Sequence, residues 1–176
     1  MRAKLLIHFS FLSNEISHTS TVSIFSSIDE LPSGWKKLVL KAKTTLSSSY
    51  SPYSGFQVAS ALRLKNGKEV VGSNQENIAY PSGLCAERVA IFSAGTNYPG
   101  EEIEAIAIIA NSKNGIVDNP VTPCGSCRQV MIEIESNQTY PITVIMTGIE
   151  GEVWVSKSVA NLIPFYFSSN KVNRSD

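Results

Sequence analysis

The spacing of apolar side chains along the chain predicts where it forms helices. Between residues 29 and 46, apolar positions recur every three or four residues, which is typical of one buried helix face. That face consists of Trp35, Leu38, Val39, Ala42 and Leu46. Two further apolar runs, 84–95 and 124–136, predict two more helices, and we expect the first of them to stop at Gly95. The predicted inner face of the later helix consists of Val130, Met131 and Ile134.

Shorter apolar stretches between turn residues predict the strands. The segments "QVASALRL" and "EVVGSN" flank Asn66-Gly67, a dipeptide that favours a β-hairpin. A long apolar run at 104–111 predicts a central strand. The stretches at 141–147 and 152–156 predict two more strands, which brings the predicted sheet to five.

The order of these elements predicts the fold class. A helix, a hairpin and then strands that alternate with helices are typical of a three-layer α/β/α sandwich on a mixed sheet, here with five strands. Residues 158–167 are predicted to add a short terminal helix broken by Pro164. A length of 176 residues fits one domain. We divide the chain into an N-terminal arm (1–27), irregular and rich in Ser and Thr from residue 10, a main domain (28–168) and a C-terminal tail (169–176).

Charge and hydropathy narrow the classes of partner. Lys plus Arg number 15 and Asp plus Glu 15, so no excess positive charge is available to attract phosphates, and we expect no nucleic-acid partner. We also expect no membrane partner, because no apolar segment approaches the roughly 20 residues of a spanning helix. The start "MRAKLLIHFSFL" has basic residues before an apolar run, but His8 and Ser10 interrupt that run, which favours an arm over a signal peptide. We therefore expect a soluble, cytoplasmic protein.

The three cysteines are the first candidates for chemistry. Cys85 stands alone, Cys124 and Cys127 form a C-x-x-C motif, and their odd number argues against a complete disulfide framework. Both cysteine segments begin predicted helices, where the peptide dipole favours a thiolate. A C-x-x-C motif by itself fits either a redox pair or half of a zinc site. Both histidines, His8 and His18, lie far from these cysteines in the sequence.

The number of available ligands distinguishes two kinds of zinc site. A structural site usually has four protein ligands, whereas a catalytic site keeps one position for a water molecule whose pKa the metal lowers. Three cysteines without a nearby fourth ligand therefore favour catalysis. Glu87 is then a candidate for moving the proton of that water, and a solvated first-turn carboxylate is the alternative. Arg88 is either a surface charge or a cation that offsets the charge of three thiolates.

Longer motifs carry a resemblance to a known family. "CAERVAI" together with "PCGSCRQVM" resembles the zinc-dependent cytidine and deoxycytidylate deaminases, in particular the small cytidine deaminases with an all-cysteine zinc site. "SPYSGFQVASAL", "GSNQENIAYPSGLCAER" and "NLIPFYF" resemble the same family in the same order, so the likeness covers residues 51–167. The resemblance implies that Cys85, Cys124 and Cys127 are zinc ligands. It also implies that Glu87 is a proton shuttle and not a ligand.

The resemblance further implies how a substrate is held. Phe56 would pack on the pyrimidine ring, and the backbone N–H of Ala86 would bind the carbonyl of the base. Asn74 and Glu76 would hydrogen-bond the ribose hydroxyls, a task that suits an amide and a carboxylate. Ordinary core packing for Phe56, and turn or strand-end roles for the two polar residues, are the alternatives.

Subunit contacts and two departures from the family pattern follow from the same resemblance. Relatives of this kind are homotetramers, in which Tyr80 would approach the ribose end and Phe167 would press on the base of a neighbouring site. Plain packing is the alternative for both residues. Ala59 stands where the family has glycine, and Ile78 stands where a small residue is usual.

The function implied by the resemblance is hydrolytic deamination of cytidine and deoxycytidine to uridine and deoxyuridine, with release of ammonia, in pyrimidine salvage. One alternative is a deaminase of another aminopyrimidine such as blasticidin S, although the implied ribose-binding pair argues for a nucleoside. The other alternative is a non-catalytic zinc-binding domain, which needs a fourth protein ligand and has no use for an acid–base glutamate.

Overall fold

The computed structural model describes residues 14–168 of the chain. The signal-like start with His8, in residues 1–13, and the predicted tail at 169–176 lie outside the described residues. The helices are α1 (Ser33–Thr45), α2 (Ala86–Asn97) and α3 (Gly125–Ser136). The strands are β1 (Ser23–Phe25), β2 (Phe56–Leu64), β3 (Glu69–Ser73), β4 (Ile103–Ser112), β5 (Thr143–Thr147) and β6 (Val153–Ser156). Within this range no helix combines the length and the apolar character needed to cross a lipid bilayer.

The strands form one mixed sheet covered by helices on both faces. Its order is β1-β6-β5-β4-β2-β3, in which β4 and β5 run parallel and the other neighbours run antiparallel. One buried cluster joins α1 to the sheet through Leu38 and Val39, and the opposite cluster joins α2 and α3 to it through Ile91 and Met131. The predicted three-layer α/β/α class is therefore confirmed, with β4 as a central strand.

Among residues 14–168 the sheet has six strands, so the prediction of five is wrong by one. Residues 23–25, inside the segment that we predicted to be irregular, pair antiparallel with β6, and Ile24 lies opposite Trp154. A three-residue strand beside a Ser/Thr-rich stretch shows no alternation that a sequence pattern can detect. Its pairing with β6 uses backbone groups that would otherwise be exposed at the sheet edge.

α1 buries the face that its apolar spacing predicts. Leu38, Val39 and Ala42 are completely buried, and Leu46 is buried in the 3-10 turn that follows the helix. Trp35 is only partly buried, and the ammonium of Lys157 lies 3.9 Å from the centre of its ring. The separation is typical of a cation–π contact, which attracts the ammonium to the face of the ring.

α2 continues beyond the residue at which we expected it to stop. The helix passes through Gly95 and ends at Asn97, and the backbone N–H of Tyr98 bonds to the carbonyl of Ala94. A glycine favours a helix end only where the backbone turns into the left-handed region. Gly95 is not among the positive-φ glycines, whereas Gly100, after the helix, has φ of 81°.

The predictions for α3 and for the terminal helix are correct only in part. In α3, Met131 is fully buried and Val130 and Ile134 pack against the same buried cluster, as predicted, but Ile132 is buried as well and was missed. Residues 158–167 form only a 3-10 turn, Val159–Leu162. Ile163 is already extended, with φ of −147° and ψ of 87°, because the residue before a proline is disfavoured in the helical region.

The predicted hairpin between β2 and β3 is confirmed. Leu64 donates its N–H to the carbonyl of Lys68 at 2.8 Å and accepts from the N–H of Gly67 at 2.9 Å. Gly67 has φ of 82°, a left-handed conformation in which glycine carries no steric penalty.

A close approach between β3 and α2 positions the beginning of that helix. A Cβ atom on Gly72 would lie 2.6 Å from the Ala86 carbonyl oxygen and closer still to the Ala90 backbone nitrogen. Both neighbours are backbone atoms, which cannot move aside as a side chain can. The absence of a side chain at Gly72 therefore sets how closely the first turn of α2 packs on the sheet.

Replacement of Gly72 by alanine is expected to destabilise the fold. Overpacking of this kind costs about 1–3 kcal/mol, which corresponds to a fall in melting temperature of about 2–12 °C for a chain of this size. Thermal unfolding followed by circular dichroism measures the change. Gly95→Ala is the matched control, because a Cβ there meets no atom within 4 Å, and we expect no loss of stability. A Gly72→Ala protein that melts at or above the wild-type temperature contradicts the packing argument.

Candidate metal centre and substrate cleft

The beginnings of α2 and α3 bring the three thiols together. Cys85 is the N-cap residue of α2, Cys124 is the N-cap residue of α3, and Cys127 lies in the first turn of α3. All three Sγ atoms lie within 4.8 Å of one another, and the Sγ atoms of Cys85 and Cys124 are 3.8 Å apart. Because each thiol sits at the positive end of a helix dipole, both helices favour negative charge at the same point.

The long connection from β4 to α3 is held in place by the turn between β5 and β6. Ile149 donates its N–H to the Val117 carbonyl at 2.9 Å. A Cβ on Gly148 would collide with that carbonyl oxygen, and a Cβ on Gly151 would collide with the carbonyl oxygen of Asp118. These contacts lie six and seven residues before Cys124, so they help to determine where α3 begins.

Charge within the cluster is unevenly distributed. A hydrogen bond from Cys127 is the largest influence that lowers the pKa of Cys85, with help from the Arg88 guanidinium. The same hydrogen bond raises the pKa of Cys127, which is completely buried. The Nη2 atom of Arg88 lies 3.8 Å from the Cys85 sulfur. Arg88 therefore lies within reach of the Cys85 sulfur, a position that the second of its two predicted roles requires.

The donor set fits zinc. Zinc–sulfur bonds measure about 2.3 Å, so two sulfurs on a tetrahedral zinc ion lie about 3.8 Å apart. The Cys85–Cys124 separation of 3.8 Å matches that edge. Among residues 14–168, the cluster contains three ligand-bearing residues and no fourth cysteine, histidine or carboxylate.

Glu87 lies beside the thiols and lines the same cleft. Its side chain is only 4% exposed, and this burial is the main cause that raises the pKa of its carboxyl group. Negative charge on Cys85 acts in the same direction. A solvated first-turn carboxylate, the alternative we considered, would be exposed to water, and Glu87 is not.

A cleft of about 690 Å³ opens above this cluster. Its wall includes Cys85, Cys124, Glu87 and Arg88 together with the segment from Asn74 to Asn77. Such a volume is in the range of small-molecule sites. Phe56, at the start of β2, and Tyr80 also line the cleft.

The two candidate ribose-binding residues lie in the cleft wall but already make protein contacts. Asn74 accepts from the Val58 N–H at 2.8 Å and donates to the Phe56 carbonyl at 2.9 Å, so it holds the start of β2. Glu76 accepts from the Tyr53 N–H at 2.9 Å and from the Ser54 hydroxyl. The Ser54 hydrogen bond is the main cause that lowers the pKa of Glu76, which favours the ionised, accepting form.

The remaining candidates differ in exposure. Ala86 is completely buried at the first position of α2, where a backbone N–H has no partner within its own helix. Tyr80 is 76% exposed at the mouth of the cleft, and Phe167 is 73% exposed and is not among the lining residues. Two residues depart from the family pattern. Ala59 is completely buried in β2, where its methyl group fits, and Ile78 is 76% exposed.

Sequence reasoning missed several residues of the cleft wall: Tyr53, Ser54, Val121 and Thr122. Tyr53 packs edge-to-face against Tyr80, with ring centres 6.3 Å apart. The first two belong to the "SPYSGF" motif, from which only Phe56 was singled out. Val121 and Thr122 precede the "PCGSC" motif, and no pattern of their own marks them.

Fold and site together fit one class of protein, the zinc-dependent enzymes in which three protein side chains can hold the metal and a separate carboxylate lies beside them. A family model described as the cytidine and deoxycytidylate deaminase zinc-binding region matches residues 33–143. That match contains all three cysteines and Glu87. The chain belongs to the cytidine and deoxycytidylate deaminase family.

Individual relatives agree with this assignment. The chain is 36% identical to a cytidine deaminase from Halalkalibacterium halodurans over 136 residues, which is 77% of this chain and 96% of that protein. It is also 36% identical to a cytidine deaminase from Sporosarcina psychrophila, over 78% of this chain and 94% of that protein. A crystal structure of cytidine deaminase from Burkholderia pseudomallei superimposes with a TM-score of 0.64 and 40% identity, over 74% of this chain and 97% of that one.

Proposed function

We propose that the chain catalyses hydrolytic deamination of cytidine and deoxycytidine to uridine and deoxyuridine, with release of ammonia. The observation that carries the proposal is the cluster of three thiols within 4.8 Å, which shares a cleft with one buried carboxylate. The likeness to named cytidine deaminases supports the choice of substrate. A non-catalytic zinc domain accounts neither for the buried Glu87 nor for the cleft.

Glu87 is assigned the proton transfers. Cys85, Cys124 and Cys127 would hold the zinc ion, which would lower the pKa of the reacting water. The Glu87 carboxylate takes a proton from that water and passes it to ring nitrogen 3, while the oxygen adds to ring carbon 4. It then moves the second proton from this oxygen to the amino group, so that the carbon–nitrogen bond breaks and ammonia leaves. Water supplies the oxygen and both protons.

The cleft wall is assigned the recognition of a nucleoside. The ring of Phe56 packs on the pyrimidine, and the Ala86 N–H binds the carbonyl of the base. Glu76 accepts from a ribose hydroxyl. Asn74 has one N–H left after its bond to the Phe56 carbonyl, and it donates this N–H to the sugar.

Assembly and location complete the proposal. Tyr80 and Phe167 are exposed in the single chain, which supports a homotetramer. Phe167 then presses on the base in a neighbouring site, and Tyr80, which also borders the cleft of its own chain, approaches the ribose end of a neighbouring site. The thiols are unpaired and surround a candidate metal site, which supports a reducing compartment such as the cytoplasm.

The direct test mixes purified zinc-loaded protein with cytidine and follows the ultraviolet change on conversion to uridine. Deoxycytidine, cytosine and blasticidin S are tested in parallel. We expect conversion of the two nucleosides and little conversion of cytosine, which lacks the sugar. Faster turnover of blasticidin S than of the nucleosides supports the alternative function, deamination of another aminopyrimidine. If none of these compounds is converted, the proposed function is wrong.

Replacement of Glu76 by glutamine is expected to raise KM for cytidine by about tenfold or more, with a smaller effect on kcat. The substitution keeps the size of the side chain but removes a charged acceptor, whose hydrogen bonds contribute about 1.5–3 kcal/mol. Steady-state kinetics measures both constants.

Ser54→Ala is the matched control for this prediction. It removes the hydroxyl that bonds to Glu76 but leaves the carboxylate in place. We expect a smaller rise in KM than for Glu76→Gln. Equal effects of the two substitutions indicate that Glu76 only orders the neighbouring loop and does not bind the sugar.

A further inference from the structure

Arg128, in the first turn of α3, uses all three nitrogens of its guanidinium group within the protein. Nε donates to the Pro123 carbonyl at 2.7 Å, and Nη2 donates to the Thr122 hydroxyl at 3.1 Å. Nη1 donates to the Leu162 carbonyl at 2.7 Å. A rigid guanidinium with several donors can hold three separate acceptors in one fixed arrangement, which a single ammonium cannot do as well.

Two of these contacts hold the segment that leads into the metal cluster. Thr122 lines the cleft, and Pro123 directly precedes the ligand Cys124. Residues 116–124 have no helix or strand. Polar backbone groups in such a segment need partners from elsewhere, and Arg128 supplies one for the buried Pro123.

The third contact reaches the C-terminal segment, which α3 holds at several points. Leu162 ends a 3-10 turn whose other end is bound by Glu135, which accepts from the Val159 N–H at 2.8 Å. Gln129 exchanges two hydrogen bonds with the backbone of Phe167, at 2.8 and 3.1 Å. α3 thus carries the metal cluster at its beginning and binds the last described segment along its side.

We propose that Arg128 is a positioning residue that keeps Cys124 and the cleft wall at Thr122 in place by tying both to the C-terminal segment at Leu162. It contacts neither the reacting atoms nor the cysteine sulfurs. The part of this proposal that concerns substrate rests on the proposed function. The part that concerns retention of zinc does not, because it depends only on where Cys124 is held.

Arg128→Met and Arg128→Lys test this role in the zinc-loaded full-length protein. Removal of groups that orient metal ligands typically costs 10- to 100-fold in metal affinity or activity. We expect Arg128→Met to release zinc to an excess of a colorimetric chelator about tenfold faster than wild type and to raise KM for cytidine. The lysine side chain can bond to fewer of the three acceptors. We therefore expect the zinc-release rate and KM of Arg128→Lys to lie between those of wild type and Arg128→Met.

Arg63→Met is the matched control. Arg63 is also a partly buried arginine that donates to a backbone carbonyl, that of Gly34, at 2.6 Å, but it joins α1 to the sheet far from the thiols in sequence. We expect a lower melting temperature for both methionine variants, and unchanged zinc release and KM for Arg63→Met alone.

Zinc release and KM within twofold of wild type in Arg128→Met overturn the proposal, because Arg128 then acts on stability only. If that variant cannot be purified folded, Arg128→Lys decides by the same criterion. Absence of cytidine turnover in the wild type counts against the proposed function instead, and zinc release still decides the role of Arg128.

Discussion

Replacement of Glu87 by glutamine is expected to lower kcat for cytidine by at least about 10³-fold while the protein keeps its zinc. General acid–base groups contribute about 10²- to 10⁴-fold, and Glu87 is assigned two successive proton transfers. Glutamine preserves the shape of a side chain that is 4% exposed, so the core beside α2 is undisturbed. It cannot accept and return a proton, so the chemistry is lost. Turnover from ultraviolet assays and zinc content per chain are the two measurements.

Retention of zinc in this variant is the informative half of the result. The metal-binding cluster consists of the three cysteines and does not include Glu87. Glu133→Gln, at an exposed carboxylate on α3, is the matched control and is expected to behave as wild type. If the Glu87→Gln protein loses its zinc, Glu87 is a zinc ligand and not a proton shuttle. If that protein turns over cytidine at the wild-type rate, Glu87 has no part in the mechanism.

Replacement of Cys127 by serine is expected to abolish both zinc binding and turnover. Cys127 is completely buried, and two remaining sulfurs are too few for the three-ligand set that a catalytic zinc site uses. Zinc content is expected to fall from about one ion per chain to below about 0.1, as measured by atomic absorption. Because ligand binding stabilises only the folded state, the melting temperature should fall to that of chelator-treated wild type.

A core substitution in the same helix separates loss of a ligand from loss of packing. Ile132→Val removes one buried methylene group from α3 and costs about 0.5–1.5 kcal/mol. We expect this variant to melt at a lower temperature but to keep its zinc and its kcat. A Cys127→Ser protein that still binds one zinc ion per chain contradicts the assigned ligand set.

Local spacing accounts for the parts of the fold and site that the sequence predicts well. Cys124 and Cys127 are one helical turn apart, so any helix that begins there places both thiols at the same end. The apolar period of α1 predicts its buried face, and Asn66-Gly67 predicts the hairpin, because each depends on backbone geometry over a few residues. The resemblance to a family then added the roles of Glu87 and the cleft residues.

Contacts between distant segments account for the parts that were missed. β1 exists because the edge of β6 has free backbone groups to pair with, and nothing in a three-residue segment announces that partner. The sequence assigns Arg128 no role, yet its three guanidinium nitrogens donate to protein acceptors up to 34 residues away. Local spacing identifies neither the strand that pairs with β1 nor the distant carbonyl group that accepts from Arg128.

The sequence by itself determined the three thiols, their helix-start positions and the order of the three α-helices and of β2 to β6, since these follow from short-range spacing. Only the tertiary structure decided that Cys85 lies beside Cys124, which is 39 residues away in the sequence. It also decided that the side-chain amide of Asn74 forms two hydrogen bonds with the backbone of β2. The physical reason is that contacts between residues far apart in the sequence depend on how whole helices and strands pack together. Gly72 has no side chain, so the first turn of α2 can pack closely on the sheet. Glu87 belongs to that turn, and its side chain is therefore buried.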